Sequence, residues 1–281
     1  MHRLAVALGL LVALSYGVGD FFGGIASKRN RPAAVVAVSQ AIGLLALTAV
    51  ILADRAADPV LDDVIAGGAA GSVGMIGVIL LYRGLATGHM SVVAPITAVG
   101  AGVVPFLWGI ATGERPSALA LTGVVAALLA VALVSAADVV EDVTATRQDV
   151  LLALGAGAAF GIVFILLGTT ESQSGMWPVF AARVMSVSLV TSGVLLTRQR
   201  LRPAPGSLPS IAVAGILDVT ANGLYVLATR EGLLSLVSVL SSLYPAATIV
   251  LARVVLAERM NRTQLAGIAL AMIGVVLISS G

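Results

Sequence analysis

Asp218 is the residue with the clearest chemical potential, because this carboxylate lies in the middle of a long apolar segment. Asn222 and Tyr225 follow at i+4 and i+7, so the three polar side chains share one face if the segment is a helix. An ionised side chain at the centre of a membrane helix costs about 2.5–3.5 kcal/mol. We therefore interpret the stripe as the wall of a polar cavity. The alternative is a structural aspartate that hydrogen-bonds to neighbouring helices.

Other apolar segments also contain isolated polar side chains. Asp20 has Tyr16 four residues before it on the same face, and it could line the cavity or be a solvated or arginine-paired carboxylate near the membrane end. Arg183 could bind a carboxylate substrate or pair with an acidic group, but we favour snorkelling of its side chain toward the lipid headgroups. Ser39 and Gln40 offer neutral hydrogen bonds to a ligand, and contacts between helices are the favoured alternative for them.

Several kinds of chemistry are excluded by the sequence. The absence of cysteine excludes disulfides, cysteine-ligated metals and a thiol nucleophile. His2 and His89 are too far apart for a zinc motif and supply no Ser-His-Asp triad. There is no phosphate-binding loop motif, so ATP is not the energy source within this chain. Residues 54–63 are rich in aspartate but lack calcium-loop spacing, and we expect a solvated hinge there. We expect no catalytic residues, no metal and no cofactor.

The composition defines the elements that must position these residues. Of 281 residues, 59% are hydrophobic and 11% are charged, whereas soluble domains have about 25% charged residues. The net charge of +2 is too small to indicate nucleic-acid binding. A bilayer core needs about 20 apolar residues per helix. Ten windows meet this requirement, and they lie at 4–27, 32–53, 64–82, 90–113, 116–137, 150–170, 175–197, 203–229, 232–252 and 263–281. The sequence thus predicts an all-α integral membrane protein with ten transmembrane helices.

The sequence also repeats with an offset of 144 residues. This offset aligns Glu114-Arg115 with Glu258-Arg259 and Gly123 with Gly267, although chance similarity between apolar helices is an alternative. The repeat predicts two halves, residues 1–137 and 149–281, joined by a linker at 138–148. Each half has five spans, and an odd number places the halves in opposite orientations. Inverted repeats of this kind are typical of transporters, with the binding site near the midplane.

These features resemble the EamA-type members of the drug/metabolite transporter superfamily. The resemblance rests on the two stretches Ser91–Ser135 and Ser235–Ser279, with their Glu-Arg hinges, and on Tyr16-Gly17 in the first span. It implies a ten-helix carrier of small metabolites, such as amino acids or drugs, with a central cavity between the halves. Asp20 and Asp218 align with Phe164 and Gly74 in the repeat, so we expect this cavity to be chemically asymmetric.

Two functions of different classes remain open. The first is a secondary transporter in the plasma membrane that moves a small organic solute by efflux or exchange, with Asp218 or Asp20 available for proton coupling. The second is a membrane scaffold or assembly protein that transports nothing. In either case we expect a monomer in the lipid bilayer with no nucleic-acid partner. The hinge residues Glu114, Arg115, Glu258 and Arg259 are expected to serve folding and gating.

The orientation in the membrane can be predicted from the basic residues. With ten spans, the termini and the hinges after spans two, four, six and eight share one side, which we call the terminus side. Five arginines lie nearer this side, and eleven lysines and arginines lie nearer the other. The positive-inside rule then places both termini outside. The resemblance implies the reverse, and we favour the prediction from the charges.

Overall fold

The computed structural model describes residues 3–53, 58–86, 90–135, 146–198, 202–256 and 260–281. These residues form α-helices and one short 3₁₀ turn at Ser172–Ser174, with no strand among them. The helices are α1 (Arg3–Ser27), α2 (Pro32–Ala53), α3 (Leu61–Ala86), α4 (Met90–Ala111), α5 (Ala118–Ser135), α6 (Arg147–Gly168), α7 (Trp177–Thr197), α8 (Leu208–Glu231), α9 (Leu234–Ser241), α10 (Tyr244–Leu256) and α11 (Arg262–Ser280).

Ten segments of the described chain are long and apolar enough to cross a membrane, which confirms the predicted number of spans. Large apolar side chains cover the outside of the bundle, and Leu52 and Leu196 are 74% and 84% exposed. A soluble monomer rarely exposes so much contiguous apolar surface, whereas lipid tails solvate it without cost. The protein is therefore a multi-pass membrane protein.

The ninth span differs from its prediction as a single apolar window, because it consists of two helices, α9 and α10. Pro245 lacks a backbone N–H and its ring crowds the carbonyl of residue 241, so the helical hydrogen bonds are interrupted there. Ser241 and Ser242 donate their hydroxyl protons to the carbonyls of Val237 and Val239, both at 2.8 Å. Such back-bonding supports bends in membrane helices. The break places Tyr244 at the start of α10, deep in the bundle.

Helices from the two halves alternate in the packing. Helix α3 packs against α6 and α7, while α8 packs against α1 and α2, and α5 packs against α11. Glycines permit the closest approaches. A Cβ on Gly71 of α3 would collide with the carbonyl oxygen of Ala182 in α7, and one on Gly215 of α8 would collide with that of Ser39 in α2. This packing of small residues brings the polar segments of α1, α2, α7 and α8 together.

Candidate functional site

A cavity of about 320 Å³ lies at mid-depth between helices of the two halves. Its volume falls in the usual range for small-molecule sites, about 300–1,000 Å³. Apolar side chains form most of its wall. The polar residues that line it are Tyr16, Asp20, Gln40, Arg183, Ser186, Asp218, Asn222 and Tyr244.

An ion pair between Arg183 and Asp218 lies in the wall of the cavity. The Arg183 Nη2 atom is 2.6 Å from Asp218 Oδ2, and the two side chains are 6% and 36% exposed. The prediction that Arg183 snorkels toward headgroups is therefore wrong. A buried guanidinium is tolerated inside the bundle because the carboxylate of α8 compensates its charge.

Gln40 and Ser186 fix the position of the guanidinium. The Gln40 side-chain oxygen accepts hydrogen bonds from Arg183 Nη1 and from Ser186 Oγ, the latter at 2.8 Å. The ion pair is thus part of a network that joins α2, α7 and α8. The Arg183 Nε atom is buried and has no hydrogen-bond partner among the described residues. The arrangement holds the terminal nitrogens of the guanidinium between Asp218 and Gln40.

Asp20 is the second carboxylate of the cavity and has a different environment. Asp20 is exposed and lines the cavity. Its carboxylate has no hydrogen bond or ion pair to any described residue. Tyr16, one helical turn earlier, packs edge-on against Tyr244 with ring centroids 6.2 Å apart. Its ring is also 6.3 Å from that of Phe164. A carboxylate that is unpaired within the described part of the chain therefore lies next to an aromatic wall.

The cavity is open toward one side of the membrane. At its terminus-side end, the lining residues Leu167 and Val179 are each 1% exposed. At its other end, Asp20 is exposed and Val36 and Leu81 are partly exposed. A solute could thus enter from the side opposite the termini, whereas the terminus side is closed.

Polar contacts between the halves hold the terminus side together. Asp63 is 7% exposed, and its Oδ2 atom accepts hydrogen bonds from the Glu171 N–H at 3.0 Å and from Ser174 Oγ at 2.5 Å. Within the second half, Arg230 donates to the carbonyls of Glu171 and Gly175, both at 3.0 Å, and so holds the same α6–α7 connection against α8. The expectation of a solvated hinge is wrong for Asp63, which links the start of α3 to the α6–α7 connection.

Glu114 forms a second contact of the same kind. Its two carboxylate oxygens accept hydrogen bonds from the backbone N–H groups of Leu234 at 2.7 Å and Ser235 at 2.9 Å. These groups begin α9, where the helix dipole also favours a negative charge. We call the contacts of Asp63, Ser174, Arg230 and Glu114 the terminus-side network.

Comparison with known proteins identifies the family. The model of the EamA-like transporter family matches residues 3–136 and 148–280. The chain belongs to this family.

One solved structure and one further protein sequence are similar to this EamA-like chain. A solved structure described as "Crystal structure of protein" covers 99% of both chains with a TM-score of 0.81 at 15% identity, which shows a shared fold. An uncharacterized protein, MJ1333.1 from Methanocaldococcus jannaschii, is 32% identical over 133 residues, which are 47% of this chain and 96% of that protein. The family is one of small-solute transporters.

Most of the predicted cavity residues of this EamA-like chain come together. Asp218, Asn222, Asp20, Tyr16, Gln40 and Arg183 all line the cavity. Two predicted residues lie outside it. Tyr225 is fully buried, with its hydroxyl 2.7 Å from Ser238 Oγ of α9 and its ring stacked on Phe164. The Ser39 hydroxyl donates to the Val36 carbonyl at 3.1 Å, and the Ser39 backbone packs on α8.

Two of the four predicted hinge residues lie within the described part of the chain. Glu114 belongs to the terminus-side network, and Arg115 is exposed beside it. Glu258 and Arg259 lie outside the described residues. No group of three His, Cys, Asp or Glu side chains among the described residues could hold a metal ion.

Among the polar and aromatic lining residues, sequence reasoning missed four, Phe160, Phe164, Ser186 and Tyr244. Two of them had a usable signal. Phe164 is related to Asp20 by the 144-residue repeat, and Ser186 lies at i+3 from Arg183 on the same helical face. Neither the repeat nor helical spacing pointed to Phe160 and Tyr244, because apolar and aromatic residues are common in membrane helices.

Proposed function

We propose that this protein is a secondary transporter that moves a small organic solute, amino-acid-like or drug-like, across the plasma membrane by efflux or exchange, acting as a monomer. The cavity carries the proposal. It contains an ion pair, and a carboxylate that has no partner among the described residues, within membrane-spanning helices. Ionisable groups in such helices are costly and mark solute or ion pathways in membrane proteins. A scaffold protein would have no need of them.

The proposal includes an inverted-repeat architecture, and pairs of glycine contacts support it. Gly17 packs closely on Thr248, and the 144-residue shift converts this pair into Gly161 and Val104, which also touch. Gly123 packs on Ile278 in the same way that Gly267 packs on Val134. Contacts that interchange under one shift are expected from a two-fold axis between the halves. With five spans in each half, that axis lies in the membrane plane.

The same exchange of contacts under the 144-residue shift suggests how the cavity could open alternately to the two sides of the membrane. The shift relates Glu114 to Glu258, and it relates Leu234–Ser235 to Met90–Ser91 at the start of α4. We propose that the terminus-side network opens when the cavity turns to that side. The repeat-related helix ends would then close the cavity on the opposite side.

Asp20 is the proposed proton site, because the other cavity carboxylate is engaged by Arg183. Protonation would neutralise the one lining charge that lacks a partner among the described residues. A proton gradient could then drive solute movement in the opposite direction.

Flux measurements in proteoliposomes test the transport proposal. We expect the purified protein to carry at least one labelled solute from a panel of amino acids, amines and drug-like compounds. We also expect an imposed proton gradient to change the initial rate of flux. Protein-free liposomes and liposomes containing the Arg183→Gln variant serve as controls. Absence of flux for the whole panel, with and without the gradient, would favour the scaffold function.

The orientation of the chain is a separate prediction. Because Arg183 is paired inside the bundle, it no longer counts at a membrane end, and the basic residues on the terminus side fall from five to four against eleven. The charges then place both termini outside even more strongly. We expect a C-terminal fusion to a reporter that is active only in the cytoplasm to give background signal. A strong signal from it would show that the charge rule fails here.

A further inference from the structure

The charge balance of the cavity limits what it can bind. Its lining includes two carboxylates, Asp20 and Asp218, and one guanidinium, Arg183. The other polar lining groups are hydroxyls and amides. Since Arg183 and Asp218 neutralise each other, Asp20 leaves one uncompensated negative charge. In the low dielectric of the bundle, this charge attracts a cation and repels an anion more strongly than it would in water.

A ligand can also reach the negative charge of Asp20 more easily than the positive charge of Arg183. Asp20 is exposed to the opening and has no partner among the described residues, so a cationic ligand can reach it without breaking a protein contact. The Arg183 side chain is 6% exposed, and its terminal nitrogens bind Asp218 and Gln40. A ligand carboxylate would have to displace these partners before it could bind the guanidinium. The geometry thus disfavours an anionic group.

The aromatic wall complements a cation in a second way. Tyr16 lies one turn from Asp20, and its ring is about 6 Å from the rings of Tyr244 and Phe164. The faces of tyrosine and phenylalanine rings attract cations, with about 2 kcal/mol or more when water is excluded. The same rings can stack on an aromatic ligand. The cavity therefore combines one anionic group with a surface for a flat apolar body.

We propose that the transported solute is an organic cation, an amine attached to an apolar ring, with its ammonium on Asp20 and its ring against Tyr16, Tyr244 and Phe164. This inference rests on the proposed transport function and names its substrate class.

Three ligands with a common phenyl ring test the inference, namely phenethylamine, phenylalanine and 3-phenylpropionate. They share the phenyl ring and differ in carrying a cation, a zwitterion and an anion. Binding is measured by calorimetry on the full chain purified in detergent, at one neutral pH. We expect phenethylamine to bind about tenfold or more tighter than phenylalanine, which corresponds to one favourable charge contact, and 3-phenylpropionate to show no binding.

Three aspartate variants assign the effect to one carboxylate. Asp20→Asn should weaken phenethylamine binding about tenfold or more, and Asp20→Glu should retain most of it. Asp62→Asn removes an exposed carboxylate at the start of α3, remote from the cavity, and should leave binding unchanged. Asp20 has no described partner, so its neutralisation should leave folding intact, which size-exclusion chromatography of each variant verifies.

The inference is overturned if phenylalanine or 3-phenylpropionate binds as tightly as the amine, if none of the three binds, or if Asp20→Asn binds the amine like the wild type. These outcomes leave the transport proposal to the proteoliposome measurements, because binding in detergent does not depend on flux. Conversely, an amine that binds at Asp20 but is not carried overturns the assignment of the substrate class, and the transport proposal then depends on the other solutes of the panel.

Discussion

Asp218→Asn is expected to abolish solute transport while the protein still inserts into the membrane. The Asp218 carboxylate is the charge partner of Arg183, whose side chain is 6% exposed. The substitution leaves the buried guanidinium with neutral acceptors, the Gln40 oxygen and the amide oxygen introduced at position 218, and with no ion-pair partner among the described residues. Breaking one partner of a buried pair costs about 3–5 kcal/mol. The variant should therefore also lose thermal stability in detergent, so loss of transport alone does not distinguish a functional role from a structural one.

A double variant separates the two roles. Arg183→Gln combined with Asp218→Asn removes both charges and retains hydrogen-bonding groups, so no unpaired charge remains in the bundle. We expect it to regain much of the thermal stability that Asp218→Asn loses, because replacement of a buried pair by neutral groups is often close to neutral. We expect its transport to remain absent. The exposed-carboxylate variant Asp62→Asn is the matched control and should transport normally.

Two results would contradict this prediction. Full transport by Asp218→Asn with unchanged pH dependence would show that the carboxylate is dispensable. Transport by the double variant would show that the ion pair serves only to hold α7 and α8 together.

Disruption of the terminus-side network is expected to open the cavity to that side. Asp63 accepts two hydrogen bonds from the α6–α7 connection, at 3.0 Å and 2.5 Å, and its charge strengthens both. Hydrogen bonds to charged groups contribute about 1.5–3 kcal/mol each. Their loss in Asp63→Ala should increase the population open to the terminus side about tenfold or more, since about 1.4 kcal/mol corresponds to a factor of ten.

Cysteine labelling measures this change directly, because the natural sequence contains no cysteine. Val179→Cys places a thiol at the closed end of the cavity, where the native residue is 1% exposed. A membrane-impermeant maleimide is added from each side of oriented vesicles. Asp63→Ala should raise the labelling rate from the terminus side about tenfold or more.

Neighbouring variants control for general loosening of the structure. Asp62→Ala removes the adjacent, exposed carboxylate and should leave the labelling rate at its original value. Glu114→Gln keeps the acceptor oxygen but removes the charge at the start of α9, and it should raise the rate by a smaller factor. Val36→Cys, near the open end, should be labelled from the opposite side in the protein with an intact network. Equal terminus-side labelling of Val179→Cys with and without Asp63 would refute the gating role.

Properties that depend on a single segment were predicted correctly from the sequence. The ten spans follow from hydropathy, since each window must bury its backbone in lipid as a helix whatever its neighbours are. The shared face of Asp218 and Asn222 follows from helical periodicity alone, and both residues line the cavity. The family resemblance was confirmed by the family model, because short hinge motifs such as Gly113-Glu114-Arg115 are local features as well.

The interactions of these residues depend on contacts that are distant in sequence, and here the tertiary structure decided. Periodicity places Tyr225 on the face of Asp218, but α9 covers it and supplies Ser238 for its hydroxyl. Arg183 has a stem long enough to snorkel, yet it is paired because α2 packs against both α7 and α8, with Gly215 of α8 close to Ser39 of α2, and this packing brings Asp218 to the guanidinium. A buried charge takes whichever partner the packing brings within a few ångströms, and helical periodicity contains no information about which helix will be the neighbour.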